Sequence, residues 1–361
     1  MTKTADGGLR LLVLEGDGIG PEIMAATLAV LRAADAKFGL SLAFETAAVG
    51  WEAYRATGTT FPSSVLDKAR AAQGVLLGPV SHNEYPPVSE GGLNPSGEMR
   101  KRLDLYANIR PARSRQGFPP RCGSAVDLVI VRENTEGFYA DRSMHLGPGE
   151  FMPTPDLALA VRKVTRLGST RIAEAAFKLA LQRRKHVTAV HKANVLRVSD
   201  GLYLECVRAV AARYPQVRYE ECIIDAMAAL LIRDASQFDV VVTTNMYGDI
   251  LSDEASEIAG SLGLAASINA GAEHAVAQAQ HGSAPDIAGK NVANPSSLIG
   301  SAAMLLAWLG ERRGDTNLGN AAQAIEAALD RVIAKKEWRT PDMGGPLGTD
   351  AFGQLVAQAL E

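Results

Sequence analysis

Two carboxylates four residues apart are the feature of this sequence best suited to chemistry. In the run MYGDILSDE, Asp249 and Asp253 fall at helical i, i+4 spacing, so both project from one helix face. Like charges at that spacing repel. A divalent cation between them removes the repulsion, and oxygen-only ligands favour a hard ion, Mg²⁺ or Mn²⁺, over zinc. Asp225 in ECIIDAMAALL follows an apolar strand-like run and is a further candidate ligand. Three arginines supply the opposite charge. Arg100 and Arg110 flank an apolar stretch in RKRLDLYANIRPAR, and Arg132 follows DLVIV, at the strand end where α/β proteins bind ligands. A guanidinium grips a carboxylate through two N–H bonds, so three of them point to a polycarboxylate ligand. Taken singly, these residues are equally compatible with helix-surface acids and structural ion pairs. Tyr139 and Lys192, the latter after VTAV and His191, complete the set. A lysine partly desolvated beside a cation can act as a base.

Positioning such residues requires strands that feed helices. An apolar run at residues 11–15 meets the glycine loop GDGIGPE, and a helical pattern follows over 21–38 with Pro21 at its start. A G-x-G-x-x-G fingerprint would need glycine where Pro21 stands, and no acid clearly closes the next strand in a ribose-binding role. The glycines therefore read as a tight strand-to-helix turn. Further strands are expected at 75–77, 127–131, 187–190, 218–224 and 240–244, and helices at 170–183, 200–214, 249–262, 296–309 and 318–335. That alternation predicts an α/β protein with a largely parallel sheet. Residues 81–97 form a long turn-rich loop, a length usually associated with function. Residues 146–155 (LGPGEFMPTP) read either as a surface loop or as an excursion that pairs with another subunit.

Composition narrows the partners. Across 361 residues, 37 Lys+Arg against 40 Asp+Glu leave a net charge of −3, so the global positive field used in nucleic-acid or anionic-membrane binding is lacking. Cys122, Cys206 and Cys222 form no C-x-x-C, which argues against structural zinc and for reduced thiols. The start MTKTADGGLR has no apolar segment, and no apolar run approaches the ~18 residues of a membrane span. A cytoplasmic protein is the expectation.

Six motifs occur in order: GDGIGPE, RKRLDLYANIRPAR, VRENTEGFY, HKANVL, NMYGDILSDEASEIAGSLG and HGSAPDIAGKNVANP. Together they resemble the β-decarboxylating dehydrogenases, the isocitrate, isopropylmalate, homoisocitrate and tartrate dehydrogenase family. The resemblance implies that family's α/β fold, which is not a Rossmann fold. A large mixed-sheet, cofactor-binding domain would be built from residues 1–105 and 261–361, and a smaller domain, 106–260, would carry metal, catalytic and dimer-contact residues. It implies NAD-dependent and Mg²⁺- or Mn²⁺-dependent oxidative decarboxylation of a 3-substituted malate. Arg100, Arg110 and Arg132 would hold the substrate carboxylates, and Asp225, Asp249 and Asp253 the metal. Lys192 would take the hydroxyl proton and Tyr139 would protonate the enol carbon. Lys192 and Asp225 would serve a neighbour's site, making the protein a homodimer with shared active sites. The cofactor would lie on His281, Gly282, Ser283, Ala284, Asp286, Ile287 and Asn294. A catalytically silent regulatory subunit of the same fold is the alternative class; such subunits typically lose the tyrosine, the lysine or an aspartate, all of which are present here.

Three stretches depart from the family pattern. AQAQHG stands where FEPVHG or FEATHG is common, which puts Gln278 in the place of a glutamate near the nicotinamide. Gly78-Pro79-Val80-Ser81 replaces G-A-V-G. Before Arg100, isopropylmalate enzymes place leucines at the positions held here by Ser96 and Gly97, homoisocitrate enzymes place an arginine at that of Gly97, and the Ser-x-Asn of isocitrate enzymes is reversed as Asn94-Pro95-Ser96. An isopropyl group gains ~0.8 kcal/mol per buried CH₂, which serine and glycine cannot supply. Asn94 and Ser96 would instead meet a polar substituent, so isocitrate or tartrate is expected ahead of 3-isopropylmalate. Asp286, where NADP-using relatives carry lysine, would accept ribose hydroxyls and repel a 2′-phosphate.

Overall fold

β1 (Leu9–Leu14) runs directly into the glycine turn, and α1 (Gly20–Phe38) leaves it with proline in its first turn. Gly18 has a left-handed φ of 58°, and a Cβ there would come within 2.0 Å of the Ser283 carbonyl oxygen. The turn is thus packed backbone to backbone against the segment that begins at His281. The computed structural model describes residues 8–121, 123–139 and 144–360, so Cys122 lies outside the described residues.

Along the chain follow β2 (Leu42–Thr46), α2 (Gly50–Thr57), α3 (Ser63–Ala71), β3 (Gly74–Leu77), α4 (Pro95–Arg102), β4 (Ala107–Arg113), β5 (Asp127–Glu133), β6 (Glu150–Thr154) and β7 (Leu157–Ala160). Next come α5 (Arg166–Leu181), β8 (His186–His191), α6 (Ser199–Ala211), β9 (Arg218–Ile223), α7 (Ile224–Asp234), β10 (Val240–Thr243) and α8 (Asn245–Ala259). The chain ends with β11 (Ile268–Ala270), β12 (Ala275–Gln278), α9 (Ser296–Arg313), α10 (Thr316–Ala334) and α11 (Thr349–Gln358).

Among the described residues, ten strands form one sheet in the order β2-β1-β3-β12-β11-β4-β5-β10-β8-β9. Both flanks are parallel, as the strand–helix alternation predicts. The centre is antiparallel, because β11 and β12 form a hairpin and β4 runs against both of its neighbours. β11 has only three residues, and β4 carries Asn108, Arg110, Pro111 and Arg113, so neither gives a periodic apolar signal.

Four hydrophobic clusters cover the sheet. Every buried member of two of them comes from residues 9–105 or 268–360, and every buried member of the other two from 107–259. The sheet passes from the first group to the second at the β11–β4 pair, where Ile268 faces Ile109. β6 and β7 form a separate antiparallel hairpin in which every residue is exposed, including Phe151, Met152, Leu157 and Leu159. Such a hairpin is marginal alone in water. Among the described residues, no helix is long and apolar enough to cross a membrane.

Candidate functional site

The parallel strands β5, β10, β8 and β9 end side by side. Arg132 on β5 pairs with Thr243 on β10, Thr243 with Val190 on β8, and His191 with Ile223 on β9. Arg132, the start of α8, Lys192 and Asp225 consequently emerge along one edge of the sheet. They form two separate groups.

The first group is built around α8. Arg132, 2% exposed, donates from Nε and NH2 to Asn245 Oδ1 at 3.0 and 2.7 Å, and its NH1 pairs with Asp249 Oδ1. A Cβ on Gly248 would fall 2.6 Å from Arg132 Cγ, so glycine at this point lets the helix lie on the arginine stem. Arg110, 6% exposed, donates from Nε to Asn108 Oδ1 at 2.5 Å. Its NH1 reaches Ser252 Oγ at 2.7 Å, Asp249 Oδ1 at 3.2 Å and Asp253 Oδ1 at 3.4 Å. The Tyr139 hydroxyl donates to Asp249 Oδ2 at 3.2 Å. The two aspartates do share a face, and Arg110 bridges them and offsets part of their repulsion.

Burial works to raise the Asp249 pKa, yet Arg132, Arg110 and Arg100 outweigh it and hold the carboxylate below its ordinary value. Burial pulls Arg110 below the usual guanidinium value, with Asp249 and Asp253 opposing. An anionic ligand that competes with Asp249 for these arginines would therefore find them desolvated and already oriented.

Lys192 and Asp225 form the second group. Lys192 Nζ pairs with Asp225 Oδ2, their side chains being 25% and 64% exposed, and the Lys192 N–H donates to the buried Asp200 at 2.6 Å. The lysine hydrogen bond holds Asp225 below the ordinary carboxylate range. Asp249 and Asp253 supply hard oxygen donors, with side chains 36% and 54% exposed. Among the described residues, no three acidic, histidine or cysteine side chains converge on a cation position within one chain. The donor chemistry fits Mg²⁺ or Mn²⁺, with two of the three expected carboxylates brought together and Asp225 set apart.

A cleft of about 290 Å³ opens over the first group, and Arg100, Asn94, Ser96, Gln278, Gln280 and His281 also line it. Asn94 Oδ1 accepts the Gly97 N–H at 3.2 Å and so caps α4, while Ser96 Oγ donates to Gln278 Oε1 at 2.8 Å. The Ser96 hydroxyl is thus already used as a donor, and the amide NH₂ of Gln278 is what this pair has left to donate. The two departures from the family pattern are in contact.

On the segment that begins at His281, Ser283 Oγ shares a hydrogen bond with Ser81 Oγ at 2.8 Å, and its carbonyl accepts the Ile19 N–H at 2.8 Å. Gly282 and Asp286 are exposed, Ala284 has a left-handed φ of 39°, and Ile287 is half-buried against the core. Asn294 donates to Asp342 at 2.9 Å and accepts the Ser296 N–H at 3.0 Å, so its side chain anchors the segment to the start of α9. Burial lowers the His281 pKa, favouring the neutral ring.

Several contributors escaped the sequence reading. Asn108, Asn245 and Ser252 orient the arginines; only Asn245, directly after a strand and opening the helix of both acids, left a signal. Asp17, 7% exposed, accepts from the N–H groups of Trp51 at 2.8 Å and Ser81 at 2.9 Å and from the Tyr85 hydroxyl, tying the glycine turn to the loop over residues 81–94; residues 95–97, expected as loop, open α4. Gln280 gave no signal in the sequence.

The family model for isocitrate/isopropylmalate dehydrogenase matches residues 10–356. An isocitrate/homoisocitrate dehydrogenase of Thermus thermophilus is 43% identical, with 98% of each chain covered. A 3-isopropylmalate dehydrogenase of Sulfurisphaera tokodaii is 39% identical, with 95% of this chain and 96% of the relative covered. Among solved structures, isocitrate dehydrogenase from Methylococcus capsulatus superposes with a TM-score of 0.86 at 38% identity, over 97% of this chain and 99% of the other.

Proposed function

Because this chain belongs to the isocitrate/isopropylmalate dehydrogenase family, we propose that it is an NAD-dependent enzyme that oxidises and decarboxylates a 3-substituted malate with the aid of Mg²⁺ or Mn²⁺. The observation that carries this reading is the convergence of two buried guanidiniums, Arg110 and Arg132, on Asp249 beside Tyr139 and Asp253. Substrate carboxylates take over the arginines, with Arg100 as the third clamp at the cleft wall. Asp249 and Asp253 would hold a divalent cation, which would supply polarisation of the substrate oxygen, and the segment from His281 to Asn294 would hold NAD⁺, which would supply the hydride acceptor for C2.

Lys192 takes the hydroxyl proton as the C2 oxygen becomes a carbonyl. The bond from C3 to its carboxylate then breaks, CO₂ leaves, and Tyr139 gives its proton to C3. Within one chain Lys192 and Asp225 stand apart from this cluster, so we assign them to the site of a second copy and read the protein as a homodimer. The exposed β6–β7 hairpin supports that assembly, and the two groups of cores support a division into lobes of residues 1–105 with 261–361 and of 106–260.

The Ser96–Gln278 pair supports a polar substituent, as in isocitrate or tartrate, since an isopropyl group would face a hydroxyl and an amide. Isopropylmalate remains the competing substrate, as relatives of both kinds share about the same identity with this chain. The exposed carboxylate of Asp286 supports NAD⁺ over NADP⁺. Steady-state kcat/KM for isocitrate, homoisocitrate, tartrate, malate and 3-isopropylmalate, with NAD⁺ or NADP⁺ and Mn²⁺, tests the whole reading. Turnover that survives exhaustive chelation removes the metal, and a clear lead for 3-isopropylmalate removes the polar pocket.

A further inference from the structure

Gln280 belongs to the segment that leads into His281 and makes its side-chain contacts on α8. Its backbone N–H donates to Ser297 Oγ at 3.2 Å, while its Nε2 donates to Asp253 Oδ1 at 2.7 Å and Ser256 Oγ at 3.3 Å. The other amide atom, Oε1, is buried and has no hydrogen-bond partner among the described residues. Turning the amide over would set that oxygen against the Asp253 carboxylate. The amide is therefore oriented for Asp253, and leaves its own carbonyl unsatisfied in doing so.

Asp253 is the less anchored of the two facing acids. Its side chain is 54% exposed and Arg110 reaches it only at 3.4 Å, whereas Asp249 is held by both arginines and by Tyr139. Among the described residues, the hydrogen bonds to Asp253 fall on Oδ1, from Arg110 and Gln280, which leaves Oδ2 as the oxygen a cation would take. An exposed carboxylate loses rotamer freedom when a cation captures it; here the amide has already restricted it.

We propose that Gln280 is a positioning residue that holds Asp253 for the divalent cation from the cofactor side of the cleft and thereby couples cation binding to cofactor binding. The inference rests on the reading of Asp249 and Asp253 as cation ligands. Because the same residue bears on Asp253 and leads into His281, ordering of the cofactor segment tightens the cation site. By linkage, the cation tightens the cofactor by the same factor.

The test is Mn²⁺ binding to the full-length protein, followed by the paramagnetic resonance of free Mn²⁺ with and without saturating NAD⁺, with thermal unfolding of each variant as a separate readout of the fold. In the wild type, NAD⁺ raises Mn²⁺ affinity by about fivefold or more. Gln280→Met lowers the NAD⁺-free affinity by about tenfold, the equivalent of one hydrogen bond to a charged group, and abolishes most of the NAD⁺ effect. Ser256→Ala, which removes the amide's other side-chain partner, changes neither quantity. Gln280→Ala carries the same expectation and replaces the methionine variant should that one not fold. Wild-type Mn²⁺ affinity in the Gln280 variants, an equal loss in Ser256→Ala, or no NAD⁺ effect in the wild type overturns the proposal. If Asp253→Asn also leaves Mn²⁺ binding unchanged, the assignment of the ligands themselves has failed.

Discussion

Two charged groups at the same edge of one sheet have opposite characters. In the Arg110–Arg132–Asp249 cluster the guanidiniums are buried and each fixed by an asparagine, and the half-buried carboxylate is touched by two arginines and a tyrosine. The Lys192–Asp225 pair stands at the far end of the parallel flank, with Asp225 largely exposed and its side chain paired with the lysine. A desolvated cluster is expensive to break and holds its geometry without help. An exposed pair contributes little to folding and acquires a defined environment only when another surface covers it. The contrast teaches that one chain supplies a preorganised arginine–carboxylate cluster together with an exposed lysine–carboxylate pair displaced from it.

The largest expected effect comes from breaking the buried cluster. Asp249→Asn leaves two buried guanidiniums short of a counter-charge and removes a proposed metal ligand. We expect activity to fall by ~10³-fold or more. Stability should fall by about 2 kcal/mol, less than for a fully buried pair because the carboxylate is partly exposed. Urea denaturation alongside turnover reads both. Asp225→Asn, by contrast, should lose activity with no measurable shift in the unfolding midpoint, and a large shift there would erase the distinction between the groups.

Complementation sharpens the same contrast. Lys192→Met and Tyr139→Phe homodimers should each be nearly inactive, while their heterodimers carry one intact site. Random exchange should then restore about a quarter of wild-type activity. Proven exchange without recovery would return Lys192 to its own chain's site.

Acid sensitivity should also differ. The Asp249 pKa is depressed in the folded protein, so its stabilising contribution is present above the unfolded carboxylate value near 3.8 and is lost as pH falls through the lower folded value. Asp249→Asn should therefore flatten the acid limb of the stability profile, and identical limbs in variant and wild type would contradict the arginine clamp.

The smallest effect lies at the cleft wall. Ser96→Ala frees Gln278 Oε1 and should shift the kcat/KM ratio of isocitrate to 3-isopropylmalate by about tenfold toward the latter, with stability little changed. An unchanged ratio means that the Ser96–Gln278 pair does not read the substituent.

Much of this is legible in the sequence. The i, i+4 acids, the arginine after an apolar strand and the glycine turn follow from local rules, because strand and helix periods fix which side chains share a face. The antiparallel centre of the sheet was not legible: β4 is held by its neighbours rather than by its own pattern, with Asn108 and Arg110 buried in the site they help to build. Nor was the partner of Ser96, since Gln278 lies 182 residues further along the chain.

By itself, the sequence determined the glycine turn, many of the parallel strands and long helices, and the inventory of charges, because these depend on residue type and short-range spacing. Only the tertiary structure decided that Arg110 bridges the two aspartates, that Gln280 faces Asp253, and that Lys192 and Asp225 stand apart from both. Those relations depend on the order of strands in the sheet and on which groups are removed from water. Contacts across 27 to 143 residues of chain, such as Gln280–Asp253 and Arg110–Asp253, are set by packing that no local pattern encodes.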